Sequence, residues 1–498
     1  MINIGKKCLA ALLAASMVFG VTGCGRQKKA KKPYVQSTAE VKNGTAKAEG
    51  KGKQQSEVPL IIGCGRLDKN FNPFLAQAAS DEQVMNLTQT KLFDTDRAGR
   101  LVEKGIDGEL REYNDENYTY YGIADIKKAR RTKANYTVYR ITIRDDLLFS
   151  DGQPITIDDV IFSLYAFCDN DYDGNVQLKS SNIRGLLNYQ ANNAQAESYT
   201  DKQVKKYIRK KPAALQKWMQ KHSSDESGYE SALERQARYL MAKQAKKKTR
   251  VNSIEGIKRL NDYELRIYTT GYDSRFEEKL QIPICPLHYY GDTTKYSYNA
   301  NKFGFKRGDL SAIRANKSSP VGAGAYRFVK YDSGIAYFMA NELYYQGCPK
   351  ITYVQLKDLT KLFKDEDLTG AKIADEMKGQ TVDVASLALT QSDLEAIGEI
   401  NGNGKMSGNE INTCQSANAS YAYWGLNPYR VCINNEPFSE QSAALRHAIA
   451  MVVSACRGVQ METEGAKLTS VNAQAAKDSW LSPEQPNKVK LCRLCIYT

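Results

Sequence analysis

A strand, a polar turn and a helix follow one another closely in the first third of the chain. Tyr139, Ile141 and Ile143 alternate with polar residues, which is typical of a strand with one buried face. Thr156 precedes Asp159 by three residues, a spacing that favours a capping box at the start of a helix. The change from a period of two to a helical period restricts the chain to folds in which helices pack on sheets.

Further segments show the same two kinds of pattern. The β-branched run at 58–63 predicts a buried strand, residues 326–339 predict a hairpin, and residues 351–356 predict another strand. Residues 196–250 are rich in Lys and Ala and predict a charged insertion of two surface helices. Because 498 residues are too many for one hydrophobic core, the sequence predicts a mixed α/β protein of several lobes.

The first 24 residues have the pattern of an export signal. Lys6 and Lys7 precede an apolar run at 8–21, which is too short for a permanent membrane span. The run ends in Val-Thr-Gly-Cys, which resembles the lipobox at which bacterial lipoproteins are cleaved and lipidated. We therefore expect a lipid anchor at Cys24 that holds the chain at the outer face of the cell membrane.

Residues 25–57 contain almost no large apolar side chains, so they predict a flexible basic tether rather than a folded segment. Nine Lys or Arg stand against three Glu in this tether, and more than half of the net charge of +14 lies before residue 58. The remainder is only mildly basic for its length. This distribution favours a tether beside an anionic membrane and argues against a nucleic-acid partner.

The sequence offers little for catalysis. None of His222, His288 and His447 belongs to an HExxH motif, and no GxSxG, P-loop or GxGxxG stands in a strand–turn–helix context. Cys285 and His288 have metal-ligand spacing, but no second ligand pair accompanies them. We expect a binding protein without a cofactor rather than an enzyme.

Residues 399–410 have the spacing of a calcium loop. Oxygen-bearing side chains stand at its first, third, fifth and twelfth places, with glycine at the sixth. The four candidate ligands are Glu399, Asn401, Asn403 and Glu410. Only two of these are carboxylates, and turns rich in Gly and Asn explain the same sequence without metal. We therefore favour a turn over a calcium site.

Two segments carry recognisable motifs: residues 148–163 read LFSDGQPITIDDVIFS, and residues 320–328 read PVGAGAYRF. They resemble the patterns FSDGxPxTAxDVxFS and PxGxGPYxF of the family 5 extracellular solute-binding proteins, the oligopeptide- and dipeptide-binding components of ABC importers. The segments 282–291, 341–345 and 423–427 follow in the expected order. Motifs in register over most of the chain are more specific than any one of them.

The resemblance implies a class II periplasmic-binding-protein-like fold with two mixed-sheet lobes, a hinge between them and an extra subdomain. Lobe I would comprise 58–85 and 250–360, and lobe II 86–249 with the insertion. A third lobe would comprise 361–498. Because family members usually continue further, we expect this third lobe to be incomplete and the chain to be truncated at its C-terminus. The partners implied are a small peptide and the membrane subunits of an ABC permease, with the protein acting as a monomer.

By the same resemblance, the ligand lies between the lobes, near the segment that follows the first strand. The candidate ligand-binding residues are Gln77, Ala78, Ser80, Tyr172, Tyr423 and Trp424. Alternatives stay open at this point: the same fold binding an oligosaccharide or a metal chelate, a surface receptor that does not transport, or an inactive fragment.

Overall fold

The computed structural model describes residues 58–113, 115–222, 228–361, 363, 369–385, 391–413 and 425–463. The predicted export signal, the tether and the candidate residues Cys24, Tyr423 and Trp424 lie outside these ranges.

The described residues contain strands β1 Leu60–Cys64, β2 Glu109–Tyr113, β3 Glu116–Tyr120, β4 Ala124–Arg131, β5 Tyr136–Ile143, β6 Ile257–Asn261, β7 Glu264–Thr270, β8 Tyr296–Ser297, β9 Lys302–Phe303, β10 Tyr326–Asp332, β11 Ile335–Ala340, β12 Tyr353–Asp358 and β13 Val384–Ala385. The helices are α1 Ala79–Thr88, α2 Ile157–Phe167, α3 Leu186–Ala191, α4 Asp201–Arg209, α5 Ala213–Lys221, α6 Tyr229–Gln244, α7 Leu287–Tyr290, α8 Ser311–Ala315, α9 Gly370–Lys378, α10 Gln391–Ile400 and α11 Glu440–Thr463. Helices and strands are interspersed along the chain, which confirms the predicted mixed α/β class.

A five-stranded mixed sheet has the order β10-β11-β12-β1-β13. The pairs β10–β11 and β11–β12 are antiparallel, whereas β1 runs parallel to both β12 and β13. Ser333 and Gly334 take positive φ values of 49° and 88° at the turn of the predicted hairpin, as a tight β-hairpin requires. Phe71, Val84 and Phe338 are buried against this sheet, so α1 and the segment before it cover one of its faces.

A second, antiparallel sheet has the order β4-β5-β7-β6. Tyr139, Ile141 and Ile143 of β5 are fully buried, which confirms the predicted one-faced strand. The capping box that begins α2 is also present: the Thr156 hydroxyl accepts from the Asp158 amide, and the Asp159 carboxylate accepts from the Thr156 amide. Helix α2 is buried along nearly its whole length, so this sheet and helix form the largest core.

This second sheet crosses the lobe boundary predicted near residue 250. Strands β6 and β7, at 257–270, belong to lobe I in the predicted division, but β7 pairs along its length with β5 at 136–143. Pairing between segments so far apart in sequence leaves no local signal, because either strand would show the same alternation beside any partner. The structure therefore joins in one sheet residues that the sequence-based division had separated.

In its described residues, the charged insertion contains three helices, α4, α5 and α6, rather than the two predicted. The break lies at Lys211, which has a φ of 43°, followed by Pro212 before α5. Proline disfavours helical backbone in the residue before it, so α4 ends there. Arg235 of α6 attaches the insertion to the body of the fold by donating to the Lys179 carbonyl at 2.9 Å and to Gln190 Oε1 at 2.8 Å.

Among the described residues, no helix combines the length and the apolar character that crossing a membrane requires.

Candidate functional site

A cavity of about 350 Å³ lies between helix α1 and the turn at 172–176. Four separate stretches of the chain meet around it. Its lining residues are Pro73, Phe74, Ala76, Glu82, Met85, Asn86, Gln89, Thr90, Lys91, Asp94, Tyr172, Asn175, Val176, Pro283, Tyr344 and Tyr345. The volume is at the lower end of the range for small-molecule sites.

Helix α1 supplies one wall of the cavity. Met85 and Asn86 each lie three or four positions from both Glu82 and the C-cap residue Gln89, a spacing that brings these side chains towards one face of the helix. The opposite side of α1 buries Val84 against the five-stranded sheet. The sheet therefore holds the helix in place and leaves a partly polar face towards the cavity.

The turn at 172–176 supplies the opposing wall. Tyr172 is 1% exposed, and its hydroxyl accepts a hydrogen bond from the Val176 amide at 3.0 Å. Burial raises the pKa of Tyr172 to about 12, because the phenolate would lose its hydration. A side chain at Gly174 would come within 2.4 Å of the Phe74 carbonyl, so the close approach of the two walls requires glycine here.

Arg314 holds this turn from outside the cavity. Its guanidinium binds the Asp171 carboxylate and lies 2.9 Å from Asp173 Oδ1. The neighbouring Asp169 carboxylate accepts from the amides of Asp171 and Gly308 at 2.8 and 2.9 Å. These acidic residues therefore fix the position of the turn through hydrogen bonds within the protein.

Two hydrogen bonds join the walls. Asn175 donates from Nδ2 to Glu82 Oε1 at 3.2 Å, and Gln77 donates from Nε2 to the Asp173 carbonyl at 2.9 Å. Gln77, Asp173, Asn175 and Glu82 are all exposed, so water competes for both hydrogen bonds. Such contacts stabilise little and can break without a large cost in free energy.

The cavity contains charges of both signs. Glu82, Asp94 and Lys91 line it, and all three are solvent-accessible. Burial raises the pKa of Asp94, and the charge of Lys91 opposes this shift. The rings of Tyr344 and Tyr345, 4.9 Å apart and close to edge-to-face, complete the lining. A ligand that fits here has both polar and aromatic surface to contact.

The glycine-rich loop at 320–325 packs directly against the end of α1. The Thr90 hydroxyl donates to the Ala323 carbonyl at 2.6 Å, and the Gly324 amide donates to the Thr88 carbonyl at 2.9 Å. A side chain at Gly322 would come within 2.4 Å of the Thr88 carbonyl. The two glycines of the PxGxGPYxF-like motif therefore allow backbone to contact backbone beside the cavity.

We expect Gly324→Ala to lower the free energy of unfolding by about 2 kcal/mol, because the added methyl group would lie 2.4 Å from the Leu87 carbonyl. Chemical denaturation measures this difference. Gly122→Ala is the matched control, since its nearest contact is 3.5 Å away. Equal stability of the two variants would show that the loop at 320–325 can shift to accommodate the added methyl group at little cost in free energy.

Residues 126–454 match the family model described as bacterial extracellular solute-binding proteins, family 5 middle. The chain belongs to this family. The match extends over well over half of the chain and includes the motifs at 148–163 and 320–328. It confirms the resemblance that the motifs predicted.

Several solved binding proteins resemble this chain. The oligopeptide-binding protein AppA of Bacillus subtilis, in complex with a nonapeptide, is 15% identical with a TM-score of 0.42, and the match covers 69% of this chain and 46% of AppA. NikZ of Campylobacter jejuni, in complex with Ni(L-His), is 19% identical with a TM-score of 0.37, covering 68% and 45%. The murein tripeptide-binding protein MppA of Escherichia coli is 11% identical with a TM-score of 0.39, covering 68% and 48%.

The chain thus spans about half the length of the solved structures that it matches. Comparison with curated protein sequences finds no match.

The structure places the four described ligand candidates in different surroundings. Tyr172 lines the cavity. Gln77 hydrogen-bonds across its edge, and Ala78 immediately precedes α1 as its N-cap residue. Ser80 is 7% exposed, and its hydroxyl lies close enough to the Cys64 thiol to lower that group's pKa against the larger raising effect of burial. The ligand role of these residues stays a prediction.

Several cavity residues were missed at the level of sequence. Lys91 and Asp94 stand in no recognisable motif, and Asn86 is one polar residue among many on α1. Tyr344 and Tyr345 belong to the segment 341–345 that carries part of the family resemblance, and this was the available signal. Asn341 of that segment donates to the Gly324 carbonyl at 2.8 Å, which positions the two tyrosines beside the glycine-rich loop.

In the calcium-like loop, the asparagine side chains bind the loop's own backbone. Asn401 donates to the carbonyls of Lys405 and Ile411 at 3.1 Å and accepts from the Ile411 amide at 2.9 Å. Asn403 accepts from the Lys405 amide at 2.8 Å. These bonds are those of a tight Asn-rich turn, and the candidate ligand role of Glu399 and Glu410 stays untested.

Proposed function

We propose that this chain captures peptides in the cavity beside α1 and delivers them to the membrane subunits of an ABC permease. Membership in family 5 supports a solute-binding role. The observation that carries the proposal further is the cavity itself, which forms where the segment after β1 faces the turn at 172–176. It combines aromatic, amide and charged side chains, and peptides present matching groups along an extended backbone.

The weak hydrogen bonds across the cavity edge suit a site that opens and closes. In the proposed cycle, two lobes separate about a hinge, admit the ligand and close on it, and the closed form docks on the permease. We place lobe I at 58–85 and 250–360, with β6 and β7 sharing the sheet of lobe II, and the remaining lobes at 86–249 and 361–498. The chain acts as a monomer anchored through a lipid on Cys24 at the outer face of the membrane, where its basic tether lies beside anionic headgroups.

Thermal unfolding of the purified chain with a mixed peptide pool tests the ligand class. A ligand that binds only the native state stabilises it by about 2.7 kcal/mol at a hundredfold excess over Kd. An upward shift of the transition supports peptide capture. If peptides leave the unfolding temperature unchanged and oligosaccharides or a nickel–histidine chelate raise it, the ligand belongs to one of those classes instead.

We expect Ala76→Trp to abolish this stabilisation by peptides, because the indole ring would occupy part of the cavity that Ala76 lines. The loss should be at least about tenfold in affinity. Ala214→Trp is the control, since Ala214 is an exposed residue of α5 away from the cavity lining. If Ala76→Trp binds the peptide pool as tightly as Ala214→Trp does, the ligand site lies elsewhere.

A further inference from the structure

The charged insertion at 196–250 differs from the rest of the folded chain in its charge. It contains 15 Lys or Arg against 6 Asp or Glu. Residues 58–195 and 251–498 together contain 44 Lys or Arg against 47 Asp or Glu, so their charges nearly cancel. The insertion therefore carries all of the positive excess beyond residue 57. Charge concentrated in one segment attracts a partner of opposite charge.

Helix α4 directs its cations away from the protein interior. Val204 is buried with Leu215 and Ala237 of the two neighbouring helices, and Tyr207 and Ile208 pack against this cluster. The opposite side of α4 presents four exposed cations, Lys202, Lys205, Lys206 and Arg209. Apolar packing thus fixes the helix with its basic face towards solvent.

The C-terminal ends of α4 and α6 lie side by side. Asp201 pairs with Arg238 at 2.5 Å, and the Tyr207 hydroxyl donates to Gln244 Oε1 at 3.1 Å, so the two helices run in the same direction. Exposed lysines follow both helix ends. This lysine cluster consists of Lys210, Lys211, Lys246, Lys247 and Lys248.

The cations of the α4 face and of the lysine cluster lack counter-charges from the protein. Among the residues that the structure describes, none of them forms an ion pair within 4.0 Å. Lys202 and Lys206 are four positions apart on α4, as are Lys205 and Arg209, and like charges at this spacing destabilise a helix. An anionic partner would relieve this repulsion.

The composition of the surface favours a diffuse layer of negative charge over a nucleic acid. Lysine, which acts as a point charge, predominates over arginine, whose planar group suits paired contacts to single phosphates. Stacking on bases would require free aromatic faces. Tyr199, Tyr207 and Tyr239 instead pack within the insertion, and Trp218 stacks on His222 with ring centroids 4.1 Å apart.

We propose that the insertion binds the surface of an anionic lipid bilayer through the α4 face and the lysine cluster. Lipid headgroups present such a diffuse layer, and the anchor proposed at Cys24 would keep the insertion close to it. The inference rests on the membrane location proposed above and adds a second membrane contact to the anchor. It is independent of peptide capture, because no residue of the insertion lines the cavity.

Cosedimentation of the full, unlipidated chain with vesicles tests this contact at physiological salt. The vesicles consist of phosphatidylcholine alone or with about one third phosphatidylglycerol. The cluster variant carries Lys210→Gln, Lys246→Gln, Lys247→Gln and Lys248→Gln. We expect it to bind the anionic vesicles at least about tenfold more weakly than the wild type, with no change on neutral vesicles. Residues 1–57 are the same in both proteins, so their own attraction to lipid does not affect the comparison.

The matched control removes four exposed lysines outside the insertion: Lys258→Gln, Lys302→Gln, Lys317→Gln and Lys350→Gln. It has the same net charge as the cluster variant and should lose less than about threefold in affinity. Arginine at the four cluster positions keeps the charge and should keep vesicle binding, and thermal unfolding confirms that each variant is folded.

Equal losses in the cluster variant and the control would overturn the inference, because net charge alone would then explain binding. Tighter binding of a single-stranded oligonucleotide than of anionic vesicles, lost in the cluster variant, would assign the surface to nucleic acid instead. Stabilisation by the peptide pool is expected to be unchanged in the cluster variant. Failure of vesicle binding would therefore leave the peptide-binding function standing, and failure of peptide binding would leave the bilayer contact standing.

Discussion

Replacing Arg111 with alanine is expected to lower the free energy of unfolding by about 3–5 kcal/mol. The side chains of Arg111 and Asp96 are only 6% and 7% exposed, and they are joined by an ion pair of 2.5 Å. The same guanidinium binds Glu109 Oε1 at 2.8 Å and donates to the carbonyls of Arg100 and Leu101 at 3.0 and 2.6 Å. Loss of the guanidinium leaves a buried carboxylate and two carbonyl groups without these partners.

The Arg111–Asp96 ion pair also stabilises a loop that begins beside the cavity. Asp96 Oδ1 accepts from the amides of Ala98 and Arg100, and the Arg100 carbonyl accepts from the Asp96 amide, so Arg111 stabilises a hairpin-like loop through Asp96. Asp94 lies at the start of this loop. We therefore expect faster amide hydrogen exchange over 96–102 in Arg111→Ala, in addition to its lower global stability.

The control for Arg111→Ala uses the same carboxylate. Arg100 also lies near Asp96, at 3.6 Å, but its side chain is 51% exposed. Arg100→Ala should therefore cost less than about 1 kcal/mol. Urea denaturation of both variants measures the difference. If the two substitutions cost the same, burial of the Arg111–Asp96 pair contributes nothing to stability.

Replacing Asp159 with alanine is expected to lower the free energy of unfolding by about 3 kcal/mol. Asp159 is 6% exposed, and its Oδ2 accepts from the Thr156 amide at 2.9 Å while its Oδ1 accepts from the Leu287 amide at 3.0 Å. Burial raises the pKa of Asp159, and the hydrogen bonds from Thr156 and Leu287 oppose that shift. The carboxylate thus caps α2 and also fastens the start of α7 to it.

Ser163, one turn later on the same helix face, makes a second connection to this segment. Its hydroxyl donates to the Asp159 carbonyl at 2.8 Å and accepts from the Cys285 amide at 3.0 Å. The family-like motifs at 148–163 and 282–291 are therefore two sides of one structural contact. Helix capping and backbone hydrogen bonding explain the residue types at Asp159 and Ser163.

Asp159→Asn and Asp145→Asn complete this test. Asparagine at 159 keeps one acceptor but presents an NH₂ group to a second backbone donor, so we expect an intermediate loss of stability. Asp145 is exposed, and its replacement should change the free energy of unfolding by less than about 0.5 kcal/mol. If Asp159→Ala is as stable as the wild type in thermal and urea unfolding, water must replace Asp159 as the hydrogen-bond acceptor for the amides of Thr156 and Leu287.

Local features of the fold could be predicted from sequence because their causes are local. The alternation in β5, the capping box at Thr156 and the turn at Ser333 and Gly334 each depend on residues within a few positions of one another. The Lys- and Ala-rich pattern of the insertion predicts two helices, whereas its described residues form three, because Pro212 disfavours helical backbone at Lys211. Strand β12 begins two residues later than predicted, at Tyr353.

Pairing between strands that are distant in sequence could not be predicted from such local patterns. The parallel contact of β1 with β12 joins residues almost 300 positions apart, and the pairing of β5 with β7 joins segments separated by the whole insertion. Many combinations of amphipathic strands satisfy one alternating pattern, so the choice among them depends on how the complete core packs. The family resemblance supplied the general architecture, but not this pairing.

Asp94 and Asp96 show most clearly what could not be predicted from the sequence alone. They are separated by one threonine, and the chemistry of their side chains is identical. By itself, the sequence determined the mixed α/β class, the local caps and turns, and membership in a family of solute-binding proteins. Only the tertiary structure decided that Asp96 is buried against Arg111 while Asp94 faces a cavity, because burial and electrostatic environment depend on which distant segments pack around a residue.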